Sequence, residues 1–191
     1  VFVLTDDQGY GDLSCHGNPA LKTPNLDKVH AQSIRLTDFH VAPMCTPTRA
    51  ALMTGRYPLR YGLQTLVIPS SMTYGLPTDE WLLPQALKEA GYNAVHNGQR
   101  TYNGVAILSP HSIENVHLDI PNFGDEQKRL IAATINGVRI VCVYIPNGQA
   151  VGSDKYAYKL SWLQAFTPWL QNELAAHPKL ALLGDYNIAP E

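Results

Sequence analysis

The chain has 191 residues, 45% hydrophobic and 16% charged, with a formal net charge of −2. That length suffices for one large or two small globular domains with a real core, and the lack of a basic surplus argues against strong nonspecific attraction to nucleic acid. No stretch is long and apolar enough to span a bilayer, so the chain reads as soluble, without a membrane partner.

Val1-Phe2-Val3-Leu4 is an apolar run ending in Thr5-Asp6-Asp7-Gln8-Gly9, the pattern of a strand buried on both faces that delivers polar residues from its carboxyl end. Ligand sites in open α/β sheets lie at such ends. The chain opens inside this run without an initiator Met, so any leader lies upstream and the compartment is not legible. Thr23-Pro24-Asn25 reads as an N-cap and first turn, with Leu26, Val29 and His30 on one helical face. Ile34 to Val41 alternates as a strand does. Thr46 is placed to cap a helix with Pro47 in its first turn, running through Ala50 to Met53 and stopping at Gly55. Cys45 then sits at the amino end of that helix. Gly62 to Asp79, with Pro69, Ser70, Ser71, Gly75 and Pro77, reads as an irregular loop, and Leu83 to Ala90 as a short helix closed by Gly91.

The second half has a different texture. Tyr102 to Leu108 reads as a strand, and Arg129 to Ile135 with Val138 to Ile145 as a hairpin, because Asn136-Gly137 takes the positive φ values of a type I′ turn. Ser153 to Ala176 reads as a long helix with Leu160, Leu163, Phe166 or Thr167, Leu170 and Leu174 along one stripe; Pro168 should kink it or divide it. Trp162, Phe166 and Trp169 read as packing rather than a stacking platform. Lys179 to Leu183 is a last apolar strand, ending in Gly184-Asp185-Tyr186-Asn187. Cys15, Cys45 and Cys142 are too widely spaced for a disulfide framework or paired zinc ligands; Cys15 and Cys142 read as small core residues.

Asp6 and Asp7 at a strand end offer hard oxygen ligands of the kind that bind Ca²⁺ or Mg²⁺, although adjacent aspartates alone read more readily as a solvated turn. They stand in Asp6-Asp7-Gln8-Gly9-Tyr10-Gly11-Asp12, which occurs here together with Cys45-Thr46-Pro47-Thr48-Arg49 and Leu52-Met53-Thr54-Gly55-Arg56-Tyr57-Pro58. Across about residues 1 to 92 this combination resembles the type I sulfatases, especially arylsulfatases. The resemblance implies part of an alkaline-phosphatase-like α/β sheet. It implies Asp6 and Asp7 as metal ligands and Cys45 as precursor of a formylglycine, whose hydrated aldehyde attacks sulfur and is also a metal ligand. Arg49 would hold the modified side chain. A sulfate ester substrate, a formylglycine-generating enzyme as partner and an exported protein are implied as well. A helix amino end suits an anion, and a divalent cation stabilises charge on sulfate oxygens. Two departures stand out. Thr48 is where the family most often has Ser. After Tyr92 the family's Gly-Lys-Trp-His segment is replaced by Asn93-Ala94-Val95-His96-Asn97-Gly98-Gln99-Arg100, and His96 has no accompanying lysine.

From about residue 92 onward a second likeness takes over. Gly98 to Leu108, Asp125-Glu126-Gln127-Lys128-Arg129, Val143-Tyr144-Ile145-Pro146-Asn147-Gly148 and Leu183-Gly184-Asp185-Tyr186-Asn187-Ile188-Ala189-Pro190 resemble the exonuclease III family of abasic-site endonucleases. The resemblance implies part of an endonuclease/exonuclease/phosphatase sheet, Mg²⁺ or Mn²⁺ as cofactor, abasic duplex DNA as substrate and a cytoplasmic protein. Asp185 would align and deprotonate the attacking water; Asn187 and Tyr144 would bond the scissile phosphate. Tyr102, Asn103 and Asn147 are weaker candidates for DNA-backbone contact. Without the likeness, Asp185 and Asn187 read as turn residues and Tyr144 as a half-buried strand tyrosine. The family's first-strand Asn, its metal-binding Glu and its terminal Asp-His pair have no counterpart here.

Three readings follow: a sulfatase-type ester hydrolase, an abasic-site nuclease, and a splice of two partial domains, 1–92 and 93–191, without either activity. The third is favoured, since catalytic sets act as units and half a set loses most of the rate. The seam would lie at Ala90-Gly91-Tyr92, which suits both families.

Overall fold

A computed structural model describes residues 2–5, 8–64, 67–68, 72–99 and 103–187. They fall into two units, Val1–Leu83 and Pro84–Glu191. Ala90-Gly91-Tyr92, the expected seam, lies within the second unit.

The first unit is built of short helices and turns. Helix α1, Pro24–Gln32, follows Thr23 as expected, with Pro24 in its first turn. Its sheltered face carries Asp27 and His30; Leu26 and Val29, expected to pack, are exposed. Asp27 ties α1 to the 3₁₀ turn Ser14–His16. Its carboxylate accepts from the Ser14 hydroxyl (2.5 Å), the Cys15 N–H (3.0 Å) and the Thr23 hydroxyl (2.9 Å). These bonds, Ser14's first, hold the Asp27 carboxyl below its ordinary value.

Helix α2, Cys45–Thr54, starts two residues earlier than the sequence suggests. The carbonyl of extended Met44 already accepts from the Thr48 N–H (3.2 Å), so Met44 is the N-cap and Cys45 the first helical residue. Gly55, at φ +65°, ends the helix as expected. Pro47 and Ala50 face inward, and Leu63 is buried with them.

Two expected strands do not form. Residues 2–5 have no regular structure and Phe2 and Val3 are exposed; residues 34–41 contain a turn, with Ile34 93% exposed. A strand needs a neighbour to satisfy its N–H and C=O groups. No described residue of the first unit is in a strand, so these apolar runs have no sheet to join there. The mixed α/β class holds, with every described strand in the second unit.

Helix α3 (Leu83–Glu89), all but its first residue in that unit, is followed by Gly91 in the left-handed region and then by strand β1, Asn93–Asn97. Strand β1 pairs antiparallel with β2, Val105–Ser109, which begins later than Tyr102; Tyr102 itself lies outside the described residues. A second sheet has the order β3-β4-β5-β6, formed by Glu114–Leu118, Leu130–Ile135, Val138–Tyr144 and Leu180–Asp185. Strands β4 and β5 make the expected hairpin, with Asn136 at φ +49° and Gly137 at φ +74°. The β3 strand, absent from the sequence reading, bulges between Glu114 and His117. Its polar residues and broken register hide the period-two signal.

Alternation along the central strands separates two cores. Leu130 and Ala132 of β4 and Val141 and Val143 of β5 pack with Ile145, Trp162 and Phe166. Ile131 and Ala133 point the other way, against Ile107 of β2, Val95, Ile140 and Cys142. Sheet β3–β6 is thus covered on one face by helix α4, Asp154–Ala176, and on the other by the β1–β2 ribbon. Helix α4 runs unbroken through Pro168, capped by the Ser153 hydroxyl, which accepts from the Tyr156 N–H. Its inward stripe is Tyr158, Trp162, Leu163, Phe166, Trp169 and Leu170; the predicted Leu160 and Leu174 are exposed. The aromatic rings are packing, as read: Trp162 and Phe166 lie 4.8 Å apart, centroid to centroid. Arg139, 4% exposed on β5, is matched by Glu173 of α4 at 2.6 Å and donates to the Asn115 carbonyl at 2.7 Å. Cys142 packs at the second core as expected, whereas half-buried Cys15 lies in neither.

Candidate active-site residues

Cys45 and Arg49 are both on α2, four residues apart, so one turn of helix sets them on the same face. Cys45 is half-buried at the amino end and Arg49 is exposed. The Thr46 hydroxyl accepts from the Ile68 N–H (3.2 Å), bringing a loop segment to the same helix start. Asp6 and Asp7 lie outside the described residues.

The second group of candidates is brought together by strand register. Strands β5 and β6 run parallel, and Tyr144 and Asp185 are direct partners at their carboxyl ends, where α/β sheets carry their ligands. The chain after β6 then folds back on itself. Asn187, at φ +46°, donates its N–H to Asp185 Oδ1 (3.0 Å) and its amide Nδ2 to the Ile145 carbonyl (2.8 Å). Its Oδ1 accepts from Asn147 Nδ2 (3.3 Å). Tyr144, Asn147, Asp185 and Asn187 therefore form one constellation at the end of the sheet.

Asn103 stands one layer behind it. It donates to Gln127 Oε1 (3.0 Å), which also accepts two bonds from Arg129 (2.7 and 3.0 Å). The Arg129 guanidinium donates to the Tyr144 carbonyl (3.1 Å) and lies 4.9 Å from the centre of the Tyr144 ring. It also stacks 5.7 Å from the Tyr158 ring, whose hydroxyl donates to Asp125 (2.6 Å). Burial, helped by Asp125, pushes Tyr158 up to about 12. Gln127 and Arg129 were visible in the sequence only as members of a matching run, with no role assigned to them.

Lys159 was missed altogether. Its Nζ donates to the Asn187 carbonyl (2.6 Å), and with Asn147, Gln149, Tyr156 and Asn187 it lines an open cleft of about 220 Å³. Tyr156 and Lys159 stand one helical turn apart on α4, a spacing that places them on one face. The cleft presents a cation and side-chain amides, and Asn187 on its wall donates to the Asp185 carboxylate, a combination suited to holding an anion while a proton is taken from water. Among the described residues, neither Cys45 nor Asp185 belongs to a group of three His, Cys, Asp or Glu side chains close enough to share one ion. The described donors around Asp185 do not by themselves make a magnesium site.

The sulfatase family model matches residues 1–180. The chain belongs to the sulfatase family. Human arylsulfatase A is 42% identical over 131 residues, which is 66% of this chain and 26% of that protein. The chain thus spans about a quarter of the length of that relative. Solved structures carry the other likeness. A 3′ phosphatase, NExo, from Neisseria, bound to product DNA hairpin, is 47% identical over 56% of this chain and 42% of its own, with a TM-score of 0.54. An AP endonuclease from Archaeoglobus fulgidus is 35% identical over 57% of this chain and 43% of its own, with a TM-score of 0.52. This sulfatase-family chain carries both likenesses, and both families depend on divalent metal ions.

Proposed function

We propose that the chain carries two partial ester-cleaving sites: a sulfatase-type site centred on Cys45, and an exonuclease III-type site centred on Asp185. Neither turns over as it stands. In the first, Cys45 would become formylglycine through a formylglycine-generating enzyme, and Arg49 would hold the modified side chain toward a sulfate ester. Asp6 and Asp7 would contribute to a Ca²⁺ or Mg²⁺ site, the ion supplying charge stabilisation to the sulfate oxygens. The observation that supports this reading is the placement of Cys45 as the first residue of α2, with Arg49 one turn on. Backbone N–H groups at a helix amino end favour an anion there. Sulfatase kinship supports an exported protein, and the nuclease likeness a cytoplasmic one.

The nuclease-type reading is favoured by the in-register pairing of Tyr144 with Asp185 and by the Asn147–Asn187 bond beside it. In it, Asp185 takes the proton of the attacking water, and Asn187, Tyr144, Asn147 and Asn103 hold or position the phosphate backbone of abasic duplex DNA. Mg²⁺ or Mn²⁺ would supply the charge stabilisation. The loss of activity follows from co-dependence: catalytic groups act as a unit, and neither site has its full set among the described residues.

Intact mass after co-expression with the formylglycine-generating enzyme tests the first site, and conversion of Cys45 without measurable sulfate-ester turnover is expected. An unmodified thiol refutes the role of Cys45; robust turnover refutes the inactivity. Incubation of a duplex bearing one abasic site with Mg²⁺ or Mn²⁺ tests the second, with Asp185→Ala as control. Equal background from both chains is expected, and cleavage that Asp185→Ala abolishes would establish a working nuclease.

A further inference from the structure

Cys15, His16 and His30 stand apart from both sites. One ligand atom from each, the sulfur and a nitrogen of each imidazole, lie within 4.8 Å of one another, and all three side chains are half-buried. We propose that they bind one Zn²⁺ or a similar borderline transition-metal ion, with water completing a tetrahedral shell.

The local structure prepares each ligand. His16 Nδ1 lies 2.7 Å from the Tyr10 carbonyl. A carbonyl only accepts, so Nδ1 must carry the hydrogen, which leaves the lone pair on the other nitrogen. An imidazole fixed through a backbone carbonyl is the usual outer support of a metal-ligating histidine. The His16 ring is further held by stacking on Tyr10, 4.2 Å between centroids, and Tyr10 in turn accepts from Arg35. His30 meets His16 edge to face at 5.7 Å. Its Nε2 is shut off from solvent and has no hydrogen-bond partner. A buried polar atom without a partner costs stability, and an ion supplies one. The backbone at Cys15 is held by its N–H bond to Asp27, on the same α1 face as His30.

The donor set selects the ion. Thiolate and imidazole suit Zn²⁺, Co²⁺ or Cu²⁺, while Ca²⁺ and Mg²⁺ require oxygen donors. Zn–N and Zn–S bonds of about 2.0–2.3 Å place tetrahedral ligands roughly 3.3–3.8 Å apart, so the cluster, already within 4.8 Å, closes by at most about 1.5 Å on binding. Binding replaces the S–H bond of Cys15 with a sulfur–metal bond and releases that proton to water. The fold also has a use for the ion. The buried residues of the first unit, among those described, are Pro47, Ala50 and Leu63. A unit of this size with so small a core is the kind that metal ions staple.

The test is Co²⁺ titration of the full chain after chelator treatment. One equivalent should saturate, with thiolate-to-cobalt charge-transfer absorption in the near ultraviolet that Zn²⁺ removes. Cys15→Ser should abolish that band, and His30→Gln and His16→Phe should each weaken binding about a hundredfold or more; Cys45→Ser and Cys142→Ser should retain it. A band that survives Cys15→Ser, vanishes in Cys45→Ser, or never forms overturns the proposal. Because a variant can misfold, the parent chain gives a second reading: Zn²⁺ should shield Cys15, but not Cys45, from alkylation as read by peptide mass. Equal labelling of Cys15 with and without Zn²⁺ also overturns it.

Discussion

Gly184 decides whether Asp185 can stand beside Tyr144. It pairs directly with Val143 between parallel strands β5 and β6 and has φ +137°, a conformation that L side chains rarely adopt. A β-carbon there would lie 1.9 Å from the Val143 carbonyl oxygen, and 2.8 and 2.9 Å from its carbonyl carbon and nitrogen. Such contacts essentially never fall below 3.0 Å, so Gly184→Ala must part the strands by about 1.1 Å, the difference between 3.0 and 1.9 Å. The obstructing atoms are backbone, so no rotamer change relieves them. Forcing the backbone costs about 1–3 kcal/mol and the collision about 1–3 more, giving a loss of roughly 2–6 kcal/mol. The neighbouring bond from the Ile145 N–H to the Asp185 carbonyl, now 2.9 Å, would be stretched as well. Urea unfolding followed by the fluorescence of Trp162 and Trp169 measures the loss. Gly137→Ala is the matched control, because Gly137 has φ +74° but no atom within 4 Å of an added β-carbon. It should lose about 1 kcal/mol from conformation alone. Gly184→Ala within about 0.5 kcal/mol of the parent, or no worse than Gly137→Ala, refutes the collision.

Other perturbations report on separate parts of the molecule. Glu173→Ala leaves Arg139 charged and buried between β5 and α4, so it should cost about 3–5 kcal/mol by chemical denaturation, while Arg139→Met with Glu173→Leu should cost less than the single change. The raised Tyr158 value means that the folded state holds this proton more tightly than the unfolded chain. Its contribution to stability is complete below the ordinary tyrosine value of 10.0 and is lost as pH rises toward about 12; Asp125→Asn should bring its phenolate absorbance step to lower pH. For Asp27 the sign is opposite: its stabilisation is present above the ordinary value of 3.8 and disappears as pH falls through the lower folded value. Asp27→Asn should therefore flatten the acid limb of an α1-region hydrogen-exchange profile, and an unchanged limb would count against the Ser14–Thr23–Asp27 network.

What the sequence disclosed depended on how local each signal is. The Asn136-Gly137 hairpin, the Gly55 stop of α2 and the Ser153 start of α4 were legible because backbone conformation and capping act within a few residues. Tyr144, Asp185 and Asn187 were nameable from their motifs, but their meeting depends on β5–β6 register and on the Asn187 turn. Lys159 was illegible because its role comes from the approach of α4 to the chain after β6. The stripe of α4 was misjudged for a related reason: leucine spacing alone favours Leu160 and Leu174, whereas the bulk of Trp162 and Phe166 fixes the face that fits the sheet.

The apolar runs at Val1–Leu4 and Ile34–Val41 carry a deeper lesson about strands. A helix closes its hydrogen bonds within its own segment, so α1 and α2 form wherever their caps and propensities permit. A strand's bonds are all with others, so the same sequence that reads as a buried strand stays irregular when no partner edge is at hand. The hairpin of β4 and β5 escapes this dependence because its partner is two residues away. The division within the molecule follows: the first unit has the helix that presents Cys45 and no described strand, while the second has both strand ends that present Tyr144 and Asp185. Asp6 and Asp7, expected at the end of the first strand, lie outside the described residues.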